Sequence, residues 1–548
     1  MKKIFEIIKK SGLLFYLLFV FINYFVDDIF LKNTDIPINI RNIFIYILPL
    51  IFVYESIRKN IISEKYKDFE NITHYKAAYP SIPKQYLSKK PRDILLGIYK
   101  GKYMYVPITK DGINSMVVAA PGVGKSNLLK AQLLSNEYKE TIHKRKAKKI
   151  KTWNYFLIDV DGLIYKDIYK CKGVYRAEDN DTLQVVELNN RQSYGFDVFY
   201  RIHKNDVTET EKIKMVSDIA EALVPETKNN PYFSINAKKI IKGVLLYGIE
   251  KDMDFISIIH MLLRNNLDEL LTIIVDEAEA VGSNIILDKL KAFVGKDDNE
   301  SIQDVESTLK QYLDVFSYPD VIYCLQTNIN KTSPQILNDG KSNLILSIET
   351  SMLSAYQPIF RLTTMMILKH CESEFKENDN RYTSILIDEA ARIGKVNGLA
   401  DLMATGRKYH VNITMLYQDM AQFRNIYGKD EATAIFNLCE LKVFLSLSGD
   451  NETLDLLKNI AGKYNLITKS YKRDNILNVK SNMNYKEEER DIITGNSVIN
   501  IRQRNEAIII YFGKYYRIKK VHYYKDKVLA PIYKQIQQQN AEKMEIKK

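Results

Sequence analysis

Residues Met116-Val117-Val118-Ala119-Ala120-Pro121-Gly122-Val123-Gly124-Lys125-Ser126-Asn127-Leu128-Leu129 decide the fold. The apolar run Met116–Ala119 reads as a short buried strand that passes through a glycine-bearing loop into a helix start. That is the setting a phosphate-binding loop requires. Gly122 and Gly124 let backbone N–H groups curl around a phosphate. Ala120, Pro121, Val123 and Asn127 complete the loop and the first helical turn. Lys125 is placed to reach the β- and γ-phosphates of a nucleoside triphosphate, and the Ser126 hydroxyl to hold Mg2+. The helix N-terminus adds the positive end of its dipole. The pattern G-x-x-x-x-G-K-[ST] is broken only at its first position, Ala119, where a small residue still fits.

Such a site needs a carboxylate at a neighbouring strand end for the metal shell, and a second one to prepare the attacking water. Two segments offer the pair, Ile274-Val275-Asp276-Glu277 and Ile385-Leu386-Ile387-Asp388-Glu389. Around the first, Leu262, Leu263, Leu267, Leu270, Leu271 and Ile274 recur at helical spacing, which predicts an amphipathic helix. The second follows a polar breaker, Glu377–Asn380, and has a β-type run before its acids. A further strand-like run, Val411–Tyr417, ends at Gln418. Strand–acid, helix, strand–Gln is the series of a parallel α/β sheet. We assign Asp388 to the metal and Glu389 to the water.

The 548 residues are 46% hydrophobic and 27% charged, which excludes wholesale disorder and a many-span transporter. Four dispersed cysteines without a C-x-x-C pair exclude a disulfide scaffold and a zinc ribbon. Seven histidines without paired spacing argue against a His-built metal site. The net charge of +12 favours anionic partners such as nucleic acid or a membrane surface. A composition rich in Lys, Ile, Asn and Tyr, with 37 Tyr and 1 Trp, points to an A+T-rich genome and discounts part of that charge.

At the N-terminus, Lys2, Lys3, Lys9 and Lys10 precede the apolar run Leu13–Val26, which Asp27 and Asp28 close. A second run, Ile43–Tyr54, lies between Arg41 and the basic group Arg58, Lys59, Lys65 and Lys67. With interfacial flanks, 11–31 and 38–57 are long enough to span a bilayer of ~30 Å. Basic outer flanks around a polar connection place both ends in the cytoplasm. The alternative is one anchor with an amphipathic helix. Asp27-Asp28, where a small-x-small site would stand, argue against a cleaved signal peptide.

The order of these motifs, with Gly406-Arg407-Lys408-Tyr409, Tyr417-Gln418-x-x-x-Gln422 and Tyr427-Gly428, resembles the type IV secretion coupling proteins (TraG/TraD-like) over nearly the whole chain. Leu157–Tyr165 looks like that family's D-x-K-G-E-x-Y strand motif, with Asp161 and Leu163 replacing its Lys and Glu. Tyr194–Asp197 stands where Tyr-Asn-Pro is usual. Arg490–Thr494, and Glu506–Ile510 through Tyr523-Tyr524, look like its closing strands. The resemblance implies an α/β RecA-like P-loop NTPase sheet with an all-α insertion domain and a transmembrane helical hairpin, in a hexameric ATPase using ATP and Mg2+. Implied site residues are Lys125 and Ser126 for nucleotide and Mg2+, Asp388 and Glu389 as the second acidic motif, and Gln418 as γ-phosphate sensor. Arg407 is implied as an arginine finger serving the neighbouring subunit. Implied partners are DNA without sequence preference, a relaxase or secreted protein, secretion-channel proteins, the membrane and further copies of the chain. The bland alternatives are a solvated basic turn for Arg407 and a polar strand end for Gln418.

The expected organisation is a transmembrane hairpin (1–62), a first part of the nucleotide-binding domain (63–206), an all-α insertion (207–317), a second nucleotide-binding part (318–525) and a polar tail (526–548). Ile94–Gly97 and Tyr103–Val106 predict a β-hairpin. Val216, Ile219, Ala220 and Leu223 form one helical stripe in the insertion, and Ile240, Ile241, Val244, Leu245 and Leu246 another. The tail, with Gln535, Gln537, Gln538 and Gln539, reads as disordered or helical. The run Lys144–Lys151 reads first as a solvated loop or lipid contact and second as a DNA-backbone contact. Two other functions share these motifs: an FtsK/HerA-like chromosomal DNA translocase, and a non-hydrolysing membrane adaptor for relaxase or effector docking.

Overall fold

The computed structural model describes residues 20, 21, 24, 25 and 54, and residues 81–545 except 109–111, 145–152, 161, 170–181, 203, 205, 226–230, 296–298, 377–380, 397, 447–450, 472–482, 494–500 and 502. The expected membrane hairpin therefore lies outside the described residues apart from five positions, as do Asp161 and nearly all of the basic run at 144–151. Among the described residues, no helix is long and apolar enough to cross a membrane.

The chain clusters into two units. The larger takes residues 80–461 and 493–548. It opens with β1 (Leu87–Ser88), β2 (Ile94–Tyr99) and β3 (Lys102–Val106), an antiparallel meander. Lys100 and Gly101, both at positive φ, make the two-residue turn between β2 and β3. The phosphate-loop strand β4 (Ser115–Val118) leads into α1 (Lys125–Lys144). Then come β5 (Asn154–Asp159), the short α2 (Leu163–Ile168), β6 (Leu183–Glu187) and the two-residue β7 (Gly195–Phe196).

The helical insertion follows: α3 (Glu209–Leu223), α4 (Pro231–Glu250), α5 (Phe255–Arg264), α6 (Leu267–Val281), α7 (Asn284–Leu290), α8 (Asn299–Leu313) and α9 (Pro319–Ile322). Local signals set its boundaries. Thr208 and Glu211 form a capping box on α3, Asp254 caps α5, Asn266 caps α6, and Gly282 ends α6 in the left-handed region. Both predicted stripes are buried. The helical stretch runs further than the expected 317, through α9 and a π-turn at Tyr323–Thr327. Val321–Leu325 is a short apolar run, which periodicity cannot separate from a strand. β8 (Lys331–Thr332) pairs in parallel with β7, so the chain leaves and re-enters the insertion side by side.

The main sheet resumes at β9 (Asn343–Ser347), followed by α10 (Leu353–Glu374), β10 (Thr383–Ile387), α11 (Ala390–Ile393), α12 (Leu399–Thr405), β11 (Val411–Tyr417), α13 (Met420–Tyr427), α14 (Lys429–Leu438), β12 (Leu441–Phe444) and α15 (Asn451–Ala461). β13 (Lys463–Tyr471) and β14 (Met483–Asp491) form an antiparallel hairpin in the other unit, so Arg490-Asp491 end that hairpin rather than a strand of the main sheet. β15 (Glu506–Tyr511) and β16 (Lys514–Lys519) return to the main sheet. The glutamine-rich tail is helical: α16 (Leu529–Glu545) packs Leu529, Ile532, Tyr533 and Ile536 on the core. Those four positions have helical spacing that the glutamine count hides.

The described sheet has 12 strands in the order β1-β3-β2-β16-β15-β12-β4-β11-β10-β5-β9-β6. From β12 to β6 all neighbours are parallel; the other half is antiparallel. Strands β4, β5, β10 and β11 are buried at every residue, so both sheet faces are covered, as their unbroken apolar sequence requires. β11 separates β4 from β10, and that order builds the site.

Candidate nucleotide site

The loop after β4 is anchored on β11, where the Ala119 N–H donates to the Tyr417 carbonyl at 3.0 Å. Gly122 (φ +72°) and Gly124 (φ +101°) are left-handed. A Cβ on Gly122 would meet nothing, so conformation rather than space demands glycine there. Ala119 is fully buried and not at positive φ, so the one departure from the loop pattern needs no glycine freedom. α1 begins at Lys125, with its first bond from Leu128 N to Gly124 O at 3.1 Å. The first-turn N–H groups at Lys125, Ser126 and Asn127 therefore lack helical acceptors and are available to an anion.

The acids stand at the same end of the sheet. Asp388 and Glu389 follow β10, and Gln418 follows β11. The Lys125 ammonium pairs with Glu389 Oε1, while Gln418 Nε2 donates to Glu389 Oε2 at 3.1 Å. Gln422 Nε2 in turn donates to Gln418 Oε1 at 3.4 Å. Lys125 is 7% exposed and Glu389 20%, so the pair is largely shielded from water. Glu389 is held at φ +54°, ψ +50°, a conformation that a side-chain-bearing residue adopts only under constraint. Asp388 continues the ladder, its N–H donating to the Ile158 carbonyl at 3.1 Å, and it is buried.

Beside it, Asp159 ends β5. Its Oδ2 accepts from Ile164 N (2.9 Å) and Tyr165 N (2.8 Å), fixing the turn into α2. Burial pushes its carboxyl up to about 7, the two N–H donors oppose that rise, and the nearby Asp388 charge adds to it. Leu163, in the place of the motif's Glu, faces solvent. No group of three or more His, Cys, Asp or Glu side chains that could hold a metal occurs among the described residues. The Ser126 hydroxyl and the Asp388 carboxylate fit Mg2+, which takes few protein oxygens and completes its shell with phosphate and water.

Asp276 and Glu277 lie on α6, where Glu277 pairs with Lys251 at 2.7 Å and accepts from Tyr247 OH at 3.0 Å, apart from the loop. Arg407 is not brought into this chain's own site. It lies before β11, at the end opposite Gln418, and pairs with Glu440. The 7-residue strand β11 puts ~20 Å between the two ends. Arg407 remains 40% exposed.

Two contacts had no signal in sequence. Lys520 Nζ donates to the Val123 carbonyl at 3.0 Å, and Asn127 Nδ2 donates to the Val521 carbonyl. The segment after β16 therefore braces the phosphate loop and α1. Further along, Asp167 accepts from Lys130 Nζ (2.7 Å), Tyr523 OH and Tyr533 OH, and its carbonyl accepts from Gln537. This cluster ties α16 to α1 and α2.

Residues 164–548 match the family described as type IV secretory system conjugative DNA transfer. The chain belongs to that family. The match begins downstream of the phosphate loop, whose reading rests on the geometry above. Among curated proteins, the conjugal transfer protein TraG of Rhizobium radiobacter is 27% identical over 148 residues, 27% of this chain and 22% of that protein. Protein VirD4 of Rhizobium rhizogenes is 18% identical over 198 residues, 36% of this chain and 29% of that protein. The chain thus matches less than a third of the length of these relatives. Among solved structures, the bacterial conjugative coupling protein TrwBdeltaN70 in complex with sulphate aligns with a TM-score of 0.60 at 15% identity, covering 81% of this chain and 93% of that one. The same plasmid coupling protein in complex with the ATP analogue ADPNP aligns at 0.59 and 15%, covering 80% and 91%. That likeness extends the shared RecA-like fold over most of the chain.

Proposed function

We propose that the protein is a membrane-anchored ATPase that recruits a DNA–protein substrate, such as a relaxase with its strand, and couples it to a type IV secretion channel. ATP hydrolysis at the interfaces of a homohexameric ring drives transfer. The observation that carries the reading is the chain Lys125–Glu389–Gln418, drawn from three adjacent parallel strands onto one phosphate loop. The solved neighbours in complex with ADPNP, and with ADP and Mg2+, support ATP and Mg2+ as ligands.

In this reading the loop N–H groups of Ala120 and of Gly122 through Asn127, with the Lys125 ammonium, hold the β- and γ-phosphates. Ser126 and Asp388 would hold Mg2+, which would supply positive charge to offset that of the phosphates. Glu389 orients and deprotonates the attacking water, and Gln418 links the γ-phosphate position to Glu389. Arg407, too far from its own site, serves the next subunit and stabilises charge on the transferring phosphoryl oxygens. The helical insertion faces the substrate. The N-terminal hairpin crosses the bacterial inner or cell membrane twice, with both chain ends in the cytoplasm.

The test is ATP hydrolysis by the full chain in detergent or nanodiscs, with and without single- and double-stranded DNA. Lys125→Ala and Arg407→Ala should each abolish turnover, and mixing the two inactive chains should restore part of it. An Arg407→Ala protein with full turnover would sink the shared-site reading. A Lys125→Ala protein that still supports DNA transfer would sink the motor.

A further inference from the structure

The strand order gives the nucleotide a direction. From β4, Gln418 and Glu389, assigned above to the γ-phosphate and the attacking water, lie on the β11 and β10 side. The segment after β16 meets the loop from the β12 side, at Val123 and Asn127. A nucleoside triphosphate with its γ-phosphate at Lys125 and Glu389 therefore sends its sugar and base toward residues 520–524.

That segment alternates. Val521 and Tyr523 are buried, and Tyr523 is fixed by Asp167 and lies 5.9 Å beneath the Lys130 ammonium. His522 is half-buried and Tyr524 exposed, and the Tyr524 ring meets the Tyr523 ring edge-on at a centroid distance of 5.4 Å. The Tyr524 ring is 49% exposed, with His522 edge-on at a centroid distance of 5.7 Å. Lys525 Nζ stands 5.6 Å from the Tyr524 ring centroid. Val521 and Tyr523 thus anchor an aromatic pair on the segment that braces the phosphate loop.

We propose that His522 and Tyr524 form the base subsite of the nucleotide pocket, with the purine ring stacked on Tyr524 and His522 at its edge. The inference rests on the reading of the loop as a nucleoside triphosphate site. Burial, then the charges of Lys525 and Lys520, hold the His522 imidazole below its ordinary range, so it meets the base as a neutral ring. A stacking surface reads ring area rather than hydrogen-bonding edges, so ATP and GTP bind alike and pyrimidine nucleotides bind less well.

The experiment measures binding of ATP and of inorganic tripolyphosphate, a base-free probe, to the full chain by calorimetry. Tyr524→Ala is expected to weaken ATP on the order of 5- to 150-fold and leave tripolyphosphate unchanged. Tyr524→Phe, which keeps the ring, is expected to bind ATP as the parent does. Unchanged ATP affinity in Tyr524→Ala would overturn the proposal, as would equal loss for both ligands, which would mean a disturbed phosphate end. Lys125→Ala separates the two readings: if it leaves both ligands unaffected, the phosphate-loop reading itself fails.

Discussion

Replacing Glu389 with glutamine should move ATP binding and ATP turnover in opposite directions. Without nucleotide, the Lys125 ammonium is occupied by Glu389. A triphosphate must take that ammonium over, and it also meets the Glu389 charge. An exposed ion pair contributes ~0.2–1 kcal/mol, and a shielded hydrogen bond to a charged group ~1.5–3 kcal/mol. With Lys125 at 7% and Glu389 at 20% exposure, the pair falls between these. We take ~1–2 kcal/mol, which is ~5- to 30-fold in a dissociation constant. Glu389→Gln keeps the shape and an acceptor for Gln418 but removes the charge. MgATP should therefore bind ~5- to 30-fold more tightly. Turnover should fall ~100- to 10,000-fold, the usual contribution of a positioned general base. Calorimetry gives the first quantity and phosphate release the second. Unchanged or weaker binding, with turnover within tenfold of the parent, would refute both the competition and the assignment of Glu389 to the water.

Three further outcomes are expected. Asp167→Asn should loosen α16 by ~1.5–3 kcal/mol, because a carboxylate accepting from Lys130, Tyr523 and Tyr533 becomes an amide with one acceptor. Trypsin cleavage after Lys534 should quicken, and unchanged protection would contradict the docking. Burial alone would raise the Asp167 carboxyl, but those donors outweigh it and hold it below its ordinary range; their stabilisation is present above the unfolded value and lost as pH falls through the folded one. His370 is buried, accepts from Tyr200 OH at Nδ1 (2.9 Å) and donates from Nε2 to Asn338 Oδ1 (2.8 Å); burial, then the Arg201 charge, pushes its imidazole down to about 3. A lowered histidine binds fewer protons folded than unfolded, so stability should drop by up to ~1.4 kcal/mol per pH unit below about 6.5. Denaturant titrations at pH 7 and pH 5 should show a slope that His370→Gln flattens; equal slopes would refute it. Phe512 tips the β15–β16 turn at φ +45° with 63% of its surface exposed. Phe512→Gly should stabilise by ~1 kcal/mol, since a bulky residue in the left-handed region is strained, and a lower melting temperature would count against that strain.

The sequence determined what local chemistry determines. Gly122 and Gly124 demand positive φ, a strand precedes them and a helix follows, and all of this sits within a dozen residues. That Asp276 and Glu277 lie on a helix while Asp388 and Glu389 follow a strand was legible because helical and strand periods differ. The reading failed where a pattern was short: the run Val321–Leu325 has no period to read. For the tail it left disorder and helix both open, and the structure shows the helix α16. Tertiary structure alone decided which distant groups meet. Lys125 meets Glu389 across 264 residues, and Lys520 meets the Val123 carbonyl across 397. It alone inserted β11 between β4 and β10, which brings Gln418 to Glu389. The physical reason is that strand order comes from closing long loops and burying both faces of a shared sheet. Those energies belong to pairs of segments, and no window of sequence contains both members.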